Sequence, residues 1–213
     1  MRKVSVKKDH VLDYEIRLRI IETAKRLYLR GLITSLTGNI SNRSSDKRRF
    51  WITPSGKDKY DLKPYDMSLV DIDSGEKIAG DKPSSEYLMH LYIYRVRDDV
   101  ESIVHAHSPY TLVLFDLYKR SQLIKIFEKF SEEYYETKTF LRKIDVIERT
   151  PPGTVELAEK VSEVFKNDLD VTLLVLKGHG VVSIGNDLTK ALNRIEVLED
   201  LSKIYIFRML LIK

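Results

Sequence analysis

The sequence predicts an α/β domain in which one sheet is flanked by helices, and three observations indicate this class. Segments with helical and strand periodicity are mixed along the chain, without the regular alternation of a dinucleotide-binding fold. The length of 213 residues suits a single domain spanning residues 1–213. A composition of 43% hydrophobic and 32% charged residues is typical of a packed protein, so a largely disordered chain is excluded.

Helical periodicity and end signals predict the helices. Residues 13–30 place apolar side chains on one face, and Gly31 is positioned to end that helix. Ser84 and Ser85 open a second helix, with Glu86 inside its first turn. The predicted helices cover residues 13–30, 84–95, a segment that begins at Pro109, 154–165, and a last helix to about 211 that Asp187 caps.

Short apolar or alternating runs bounded by turn residues predict the strands. Residues 171–176 are uniformly apolar, which is typical of a buried strand. Residues 119–142 are rich in charged and aromatic side chains, and we expect a helix or an irregular excursion there. The predicted strands cover residues 38–43, 50–53, 68–72, 102–107, 144–148, 171–176 and 181–184.

Composition and charge narrow the class of protein. The net charge of +4 arises from 36 basic and 32 acidic side chains that are interspersed, so no nucleic-acid partner is predicted. No apolar run is long enough to cross a membrane, and the first residues lack the apolar segment of a signal peptide. We therefore expect a cytoplasmic protein without a membrane partner. Lys, Arg and Glu are plentiful and Gln122 is the single Gln, a bias reported for thermophilic proteins.

Three histidines predict a metal site. The chain has no Cys, so any metal must be held by imidazole nitrogen and carboxylate oxygen. His105 and His107 are two apart in a predicted strand, so their rings share a face and can bind one ion. His179 lies between Gly178 and Gly180, where small neighbours let a ligand approach closely. Three nitrogen ligands suit a catalytic zinc site, although surface and turn histidines would give the same pattern.

A carboxylate for proton transfer is predicted near the histidines. Glu86 stands at a helix start, where it could act as a general acid or base, or merely complement the helix dipole. His90 lies one turn later on the same helix face. It is either a fourth metal ligand or a packed helix histidine.

Three turn segments offer donors to an anion. Residues 37–39, 53–56 and 83–85 each combine a turn residue with hydroxyl or amide donors, and the last opens a helix. Each of them alone is an ordinary turn or cap. Beside a metal site they indicate a phosphorylated substrate.

Five motifs stand in order along the chain: Gly38-Asn39-Ile40-Ser41, Ile52-Thr53-Pro54-Ser55-Gly56, Lys82-Pro83-Ser84-Ser85-Glu86, Val104-His105-Ala106-His107-Ser108 and Gly178-His179-Gly180. Together they resemble the class II aldolase/adducin family, and within it the fuculose-phosphate-type aldolases. The resemblance implies a three-layer α/β/α domain with a central, mainly antiparallel sheet. It also implies Zn²⁺ on the three histidines, and a four-fold symmetric homotetramer with active sites between subunits.

The resemblance also implies roles for single residues. His105, His107 and His179 match the zinc ligands, and Glu86 matches the acid/base carboxylate that approaches the metal when substrate is absent. The tyrosine that reaches in from the neighbouring subunit to protonate the aldehyde oxygen aligns with Tyr134, and Tyr135 is the adjacent alternative. The positions that hold the substrate phosphate match Asn39, Ser55, Gly56, Ser84 and Ser85.

The activity implied is zinc-dependent, reversible cleavage of a ketose 1-phosphate, of the fuculose 1-phosphate or ribulose 1-phosphate type, to dihydroxyacetone phosphate and an aldehyde. A methylthioribulose-1-phosphate dehydratase uses the same histidines. Sugar-phosphate 4-epimerases generally carry Asp where this chain has Glu86, which favours the aldolase. A non-catalytic adducin-like interaction module would lack metal ligands that are present here. Many relatives carry Gly-Thr where this chain has Ser35-Leu36, so one phosphate hydroxyl is lost unless Thr37 substitutes.

Overall fold

An eight-stranded sheet forms the centre of the computed structural model, which describes residues 2–211 and the side chains of residues 10–211. The strands are β1 (Asn39–Arg43), β2 (Arg49–Ile52), β3 (Ser68–Asp71), β4 (Lys77–Ala79), β5 (Ser102–Ala106), β6 (Lys143–Ile147), β7 (Val171–Leu176) and β8 (Gly180–Gly185). Their order across the sheet is β4-β3-β2-β1-β5-β8-β7-β6. All neighbours are antiparallel except β6 and β7, which run parallel.

Six α-helices are found in the described part of the chain: α1 (Arg2–Leu29), α2 (Tyr87–Val96), α3 (Pro109–Leu117), α4 (Arg120–Glu133), α5 (Val155–Asn167) and α6 (Leu188–Leu211). A π-helical turn follows α4 at Thr137–Leu141. Thr154 caps α5 by accepting a hydrogen bond from the Leu157 N–H, and Asp187 accepts one from the Lys190 N–H at the start of α6. None of these helices is long and apolar enough to span a membrane.

The helices lie on both faces of the sheet and enclose two hydrophobic cores. Helices α1, α3, α4 and α6 pack on one face, where Leu27 and Leu198 meet Val104 of β5. Helices α2 and α5 pack on the other face, where Phe165 meets Ile103 of β5. Because consecutive strand residues point to opposite faces, one strand serves both cores. The predicted three-layer α/β/α architecture with a mainly antiparallel sheet is confirmed.

Several element ends differ from those predicted, and two of these bear on the site. Helix α2 begins at Tyr87, because the hydroxyl of Ser84 accepts a hydrogen bond from the Glu86 N–H and makes 84–86 a turn ahead of the helix. Glu86 is therefore the residue before the helix, and the prediction that it lies in the first turn was wrong. Strand β5 ends at Ala106, so His107 lies just beyond it.

Candidate metal centre

The centre of the sheet positions the predicted histidines. His105 is fully buried in β5, where it pairs with Asn39 of β1 and Val182 of β8. The backbone N–H of His107 donates to the carbonyl of Leu32 at 2.8 Å, which fixes the chain just after β5. His179 is carried by the turn between β7 and β8.

Glycine at position 180 is required for the histidines to approach. A Cβ there would lie 2.3 Å from the carbonyl oxygen of Ala106 and 2.9 Å from Cε1 of His105. Both distances are far below van der Waals contact, so any side chain would push β8 away from β5. Gly180 thus allows β8 to lie close to β5, which brings His179 in the turn before β8 near His105.

Four side chains meet at one point. The ligand atoms of Glu86, His105, His107 and His179 all lie within 4.8 Å of one another. Glu86 Oε2 is 3.2 Å from His105 Nε2, and Glu86 Oε1 is 3.0 Å from His179 Nε2. His105 Nε2 lies 3.1 Å from His107 Nε2. The structure therefore brings together all four residues predicted as metal ligands.

The hydrogen bonds of His105 determine which of its nitrogens can bind a metal. Its Nδ1 lies 2.9 Å from the carbonyl oxygen of Val181, which only accepts, so Nδ1 carries the proton. The Nε2 atom is then left with a free lone pair that faces the other ligands. A histidine whose second nitrogen is held by a backbone carbonyl is the usual arrangement around a bound metal.

Electrostatics favour the metal-binding protonation state at two of the four donors, Glu86 and His107. Burial alone would raise the pKa of Glu86, but the attraction of His105 and the contacts with His105 and His179 hold it well below its usual range. Burial, reinforced by the charges of the neighbouring histidines, lowers the pKa of His107 to about 3. A carboxylate and neutral imidazoles are the forms that bind metal.

The donor set fits a divalent cation. Among the described residues, Glu86 Oε1 is buried without a hydrogen-bond partner. A buried carboxylate oxygen of this kind is costly unless a cation compensates it. Three imidazole nitrogens and one carboxylate oxygen suit zinc, and other divalent metals accept the same ligands.

Two loops beside Glu86 carry four of the predicted phosphate-binding residues. The N–H of Ser55 donates to the carbonyl of Lys82 at 2.9 Å, and the N–H of Ser84 donates to the carbonyl of Thr53 at 3.2 Å. These bonds hold residues 53–56 and 82–85 side by side. The two loops present Ser55, Gly56, Ser84 and Ser85.

Asn39 and Thr37 are engaged within the protein. The Asn39 amide nitrogen lies 3.0 Å from Glu86 Oε2 and its amide oxygen 2.5 Å from His90 Nε2. The hydroxyl of Thr37, considered as a substitute for the hydroxyl lost at Leu36, accepts from the Thr34 N–H at 2.8 Å. His90 itself is fully buried and lies outside the four-residue cluster, as a packed helix histidine does.

The predicted tyrosines lie outside the cluster of this chain. Tyr134 ends α4, and its hydroxyl accepts a hydrogen bond from Arg208 of α6 at 3.0 Å. Tyr135 is 81% exposed. An intersubunit role remains a prediction for either residue.

Lys59 is a feature that the sequence analysis missed. It is 2% exposed, and its Nζ lies 3.3 Å from the carbonyl oxygen of Pro54 and 3.2 Å from that of Lys57. Burial lowers the pKa of this lysine. The residue stands in a charged turn region, where no periodicity distinguishes a buried lysine from an exposed one.

The chain is similar in sequence to known proteins. Residues 18–206 match the model of the family described as Class II Aldolase and Adducin N-terminal domain. An L-fuculose phosphate aldolase of Methanocaldococcus jannaschii is 36% identical over 195 residues, which are 92% of this chain and 98% of that protein. Relatives with 30–31% identity include a 5-deoxy-D-ribulose 1-phosphate aldolase of Bacillus thuringiensis and a methylthioribulose-1-phosphate dehydratase of Methylococcus capsulatus.

Solved structures share the fold. A structure of L-fuculose 1-phosphate aldolase is 30% identical with a TM-score of 0.74, covering 92% of this chain and 86% of its own. The structure of YgbL from Escherichia coli is 28% identical with a TM-score of 0.79, covering 92% and 90%. With the family model matched over most of its length, the chain belongs to the class II aldolase and adducin family.

Proposed function

We propose that this protein is a zinc-dependent aldolase that reversibly cleaves a ketose 1-phosphate to dihydroxyacetone phosphate and an aldehyde. The observation that carries the proposal is the convergence of Glu86, His105, His107 and His179 within 4.8 Å. The relatives named as fuculose and deoxyribulose phosphate aldolases support the reaction class. Substrates of the fuculose 1-phosphate and ribulose 1-phosphate type are the first to test.

His105, His107 and His179 would hold the zinc ion, and Glu86 would add a carboxylate oxygen when substrate is absent. When bound, zinc supplies Lewis acidity that stabilises negative charge developing on substrate oxygen. The carbonyl of Val181 accepts a hydrogen bond from His105 Nδ1 and so turns Nε2 of that ring toward the other ligands. The buried position of His105 keeps bulk water from competing with it.

Glu86 moves the proton at carbon. In cleavage, a carbon–carbon bond breaks, and the substrate hydroxyl gives its proton to solvent through the tyrosine described below as it becomes the aldehyde oxygen. Glu86, protonated from solvent, passes a proton to the dihydroxyacetone phosphate carbon, and in the reverse direction its carboxylate removes that proton.

The substrate phosphate binds between the loops that present Ser55, Gly56, Ser84 and Ser85. Gly56 has a φ of +70° and open space around its Cα, so its backbone can approach an anion closely. The buried Lys59 adds positive charge against the first loop.

The active site is completed by a neighbouring subunit of a homotetramer. Tyr134 directly follows α4, and a hydrogen bond from Arg208 holds its hydroxyl in place. In the neighbouring subunit this hydroxyl acts as the acid that protonates the aldehyde oxygen in the synthetic direction. Tyr135, the more exposed of the two, is the alternative. Size-exclusion chromatography with light scattering tests the tetramer directly.

The test is cleavage of fuculose 1-phosphate and of ribulose 1-phosphate by the zinc-loaded protein, coupled to detection of dihydroxyacetone phosphate, with and without chelator. Chelator-sensitive release supports the aldolase. If protein with stoichiometric metal releases no dihydroxyacetone phosphate, the aldolase proposal is overturned. The dehydratase is then favoured, because a relative named as a methylthioribulose-1-phosphate dehydratase is 30% identical. Absence of any bound metal overturns the aldolase proposal in favour of a non-catalytic module.

A further inference from the structure

A chain of buried polar side chains leads away from Glu86 through Asn39, which pairs with His105 across β1 and β5. The amide of Asn39 contacts Glu86 Oε2 at 3.0 Å and His90 Nε2 at 2.5 Å. His90 Nδ1 lies 2.6 Å from the hydroxyl of Ser41, which lies 2.9 Å from the hydroxyl of Tyr94. Asn39, Ser41, His90 and Tyr94 are at most 2% exposed.

The carboxylate fixes the direction of every hydrogen bond in this chain. An ionised carboxylate only accepts, so Asn39 must turn its NH₂ group toward Glu86 and its carbonyl oxygen toward His90. That oxygen also only accepts, so the proton of His90 sits on Nε2. His90 Nδ1 is then an acceptor, and the hydroxyl of Ser41 donates to it.

Tyr94 lies at the end of this hydrogen-bond chain that is farthest from Glu86. Because the Ser41 proton is directed to His90, Tyr94 donates to Ser41, while the carbonyl oxygen of Glu101 at 3.3 Å is the longer alternative acceptor. Burial raises the pKa of Tyr94, which keeps its hydroxyl protonated. All the donors therefore point toward Glu86.

We propose that His90 is a positioning residue, which holds Asn39 in the one amide orientation that fixes the carboxylate of Glu86 for proton transfer. With its amide reversed, Asn39 would turn its oxygen toward the Glu86 carboxylate and be repelled by it. The bond with His90 Nε2–H is a second contact that favours the same orientation and holds the amide in place. The kinetic part of this inference rests on the proposed function, whereas the tautomer of His90 does not.

A role of His90 as a metal ligand does not fit the contacts. His90 Nε2 is occupied by Asn39 and Nδ1 by Ser41, so neither nitrogen is free to bind a metal. Both ends of the Asn39 side chain are likewise engaged within the protein, and its contact with the substrate phosphate stays a prediction. Burial, with the nearby charge of His105, lowers the pKa of His90 to about 3, consistent with one ring proton at neutral pH.

The first experiment reads the tautomer in the metal-free, full-length protein. Long-range ¹H–¹⁵N correlation spectra of ¹⁵N-histidine-labelled protein should show His90 as a neutral ring protonated at Nε2, with the assignment made by loss of the signal in His90→Gln. A ring protonated at Nδ1, or one doubly protonated at neutral pH, overturns the inference. This measurement needs no substrate and does not depend on the reaction.

The second experiment separates positioning from packing. His90→Phe keeps the ring volume and removes both hydrogen bonds, whereas the side-chain amide of His90→Gln can still donate to Asn39. We expect kcat of His90→Phe to fall by about 10–100-fold with little change in KM, and His90→Gln to recover most of the loss. The control is Ser102→Ala, which removes another buried hydrogen bond at the far end of β5, to Asn42, and should leave kcat unchanged.

The outcomes are distinct. Equal losses in His90→Phe and His90→Gln, or wild-type kcat in His90→Phe, overturn the positioning role. If the wild-type protein releases no dihydroxyacetone phosphate, the proposed function fails while the tautomer spectrum still decides the inference. If His90→Phe does not fold, the wild-type spectrum and the His90→Gln kinetics remain decisive.

Discussion

Glu86 Oε2 lies 3.2 Å from His105 Nε2, although one residue precedes a helix and the other is fully buried in the central strand of the sheet. This contact joins the predicted proton-transferring group to the predicted metal ligands. It depends on the turn at Ser84 that ends just before α2 and on the close pairing of β5 with β8.

Replacing His107 by Ala should remove metal and activity together. His107 supplies one of three imidazole donors, and loss of a ligand should exceed the ~10–100-fold weakening that loss of a supporting partner causes. The measurement is metal content by mass spectrometry after dialysis, together with circular dichroism to confirm folding. Stoichiometric zinc in the variant would show that the ligands are elsewhere.

Glu86→Gln should retain the metal and lose most of its turnover. The three histidines remain, but the amide cannot accept or deliver the proton at carbon, so we expect kcat to fall by about 10²–10⁴-fold. Metal content and steady-state kinetics measured on the same sample check this. Near-native turnover would place the base at another residue.

Gly180→Ala should weaken metal binding and lower the melting temperature. Its Cβ would clash with the Ala106 carbonyl and with His105, which displaces a ligand as well as a strand. The control is Gly31→Ala, where φ is +70° but no atom lies within 4 Å of the new Cβ. That control should cost only about 1–2 kcal/mol of backbone strain and leave zinc affinity intact. Equal zinc affinity in the two variants would contradict the prediction.

Lys59→Met should raise KM for a phosphorylated substrate about tenfold, equivalent to about 1.4 kcal/mol, with a smaller effect on kcat. The methyl group of Met fills the buried position without the charge. Lys57→Met is the matched control, because Lys57 pairs with Asp66 and Asp81 and its charge is already neutralised locally. An unchanged KM in Lys59→Met would show that the buried charge serves only the loop.

The free energy of unfolding of the metal-free protein should decrease as the pH is lowered, because His90 takes up a proton more readily in the unfolded chain than in the fold. The pKa of His90 is about 3 in the fold and 6.5 when unperturbed, so the unfolded state binds the extra proton first. His90 should therefore lower the free energy of unfolding by up to about 1.4 kcal/mol per pH unit as pH falls from 6.5 toward 3, and His107, whose pKa is also about 3, should add a similar contribution. Urea unfolding with chelator measures it, and His90→Gln should show a shallower slope. Parallel slopes in the two proteins would contradict this assignment.

Local patterns in the sequence predicted most of the fold. The apolar run of β7, the capping residues Thr154 and Asp187 and the helical stripe of α1 are each visible in a few consecutive residues, because periodicity and end signals are short-range. Strand β4 was missed since all three of its residues are exposed and lack alternation. Its pairing with β3 at the sheet edge depends on tertiary context.

The metal ligands could be predicted from the sequence, but the residues that position Glu86 could not. The spacing of His105 and His107 and the glycines around His179 signal a metal site directly. The roles of Asn39 and His90 depend on a contact between a strand and a helix that are distant in sequence, and no local pattern encodes it. The position of Glu86 ahead of α2 was missed because Ser84 and Ser85 were interpreted as helix-capping residues, whereas the hydroxyl of Ser84 closes a turn before the helix by accepting from the Glu86 N–H.

The ligand set also determines when during its biosynthesis this protein can acquire its metal. Its donors come from the segment before α2, the end of β5 and the turn before β8, so three of them lie within residues 86–107 and the fourth, His179, follows more than seventy residues later. A nascent polypeptide emerges from the ribosome with its N-terminal part first, so His179 becomes available only after β7 has left the exit tunnel. Metal acquisition is then one of the last events in maturation, and a prematurely terminated product ending before β7 would be unable to sequester the ion.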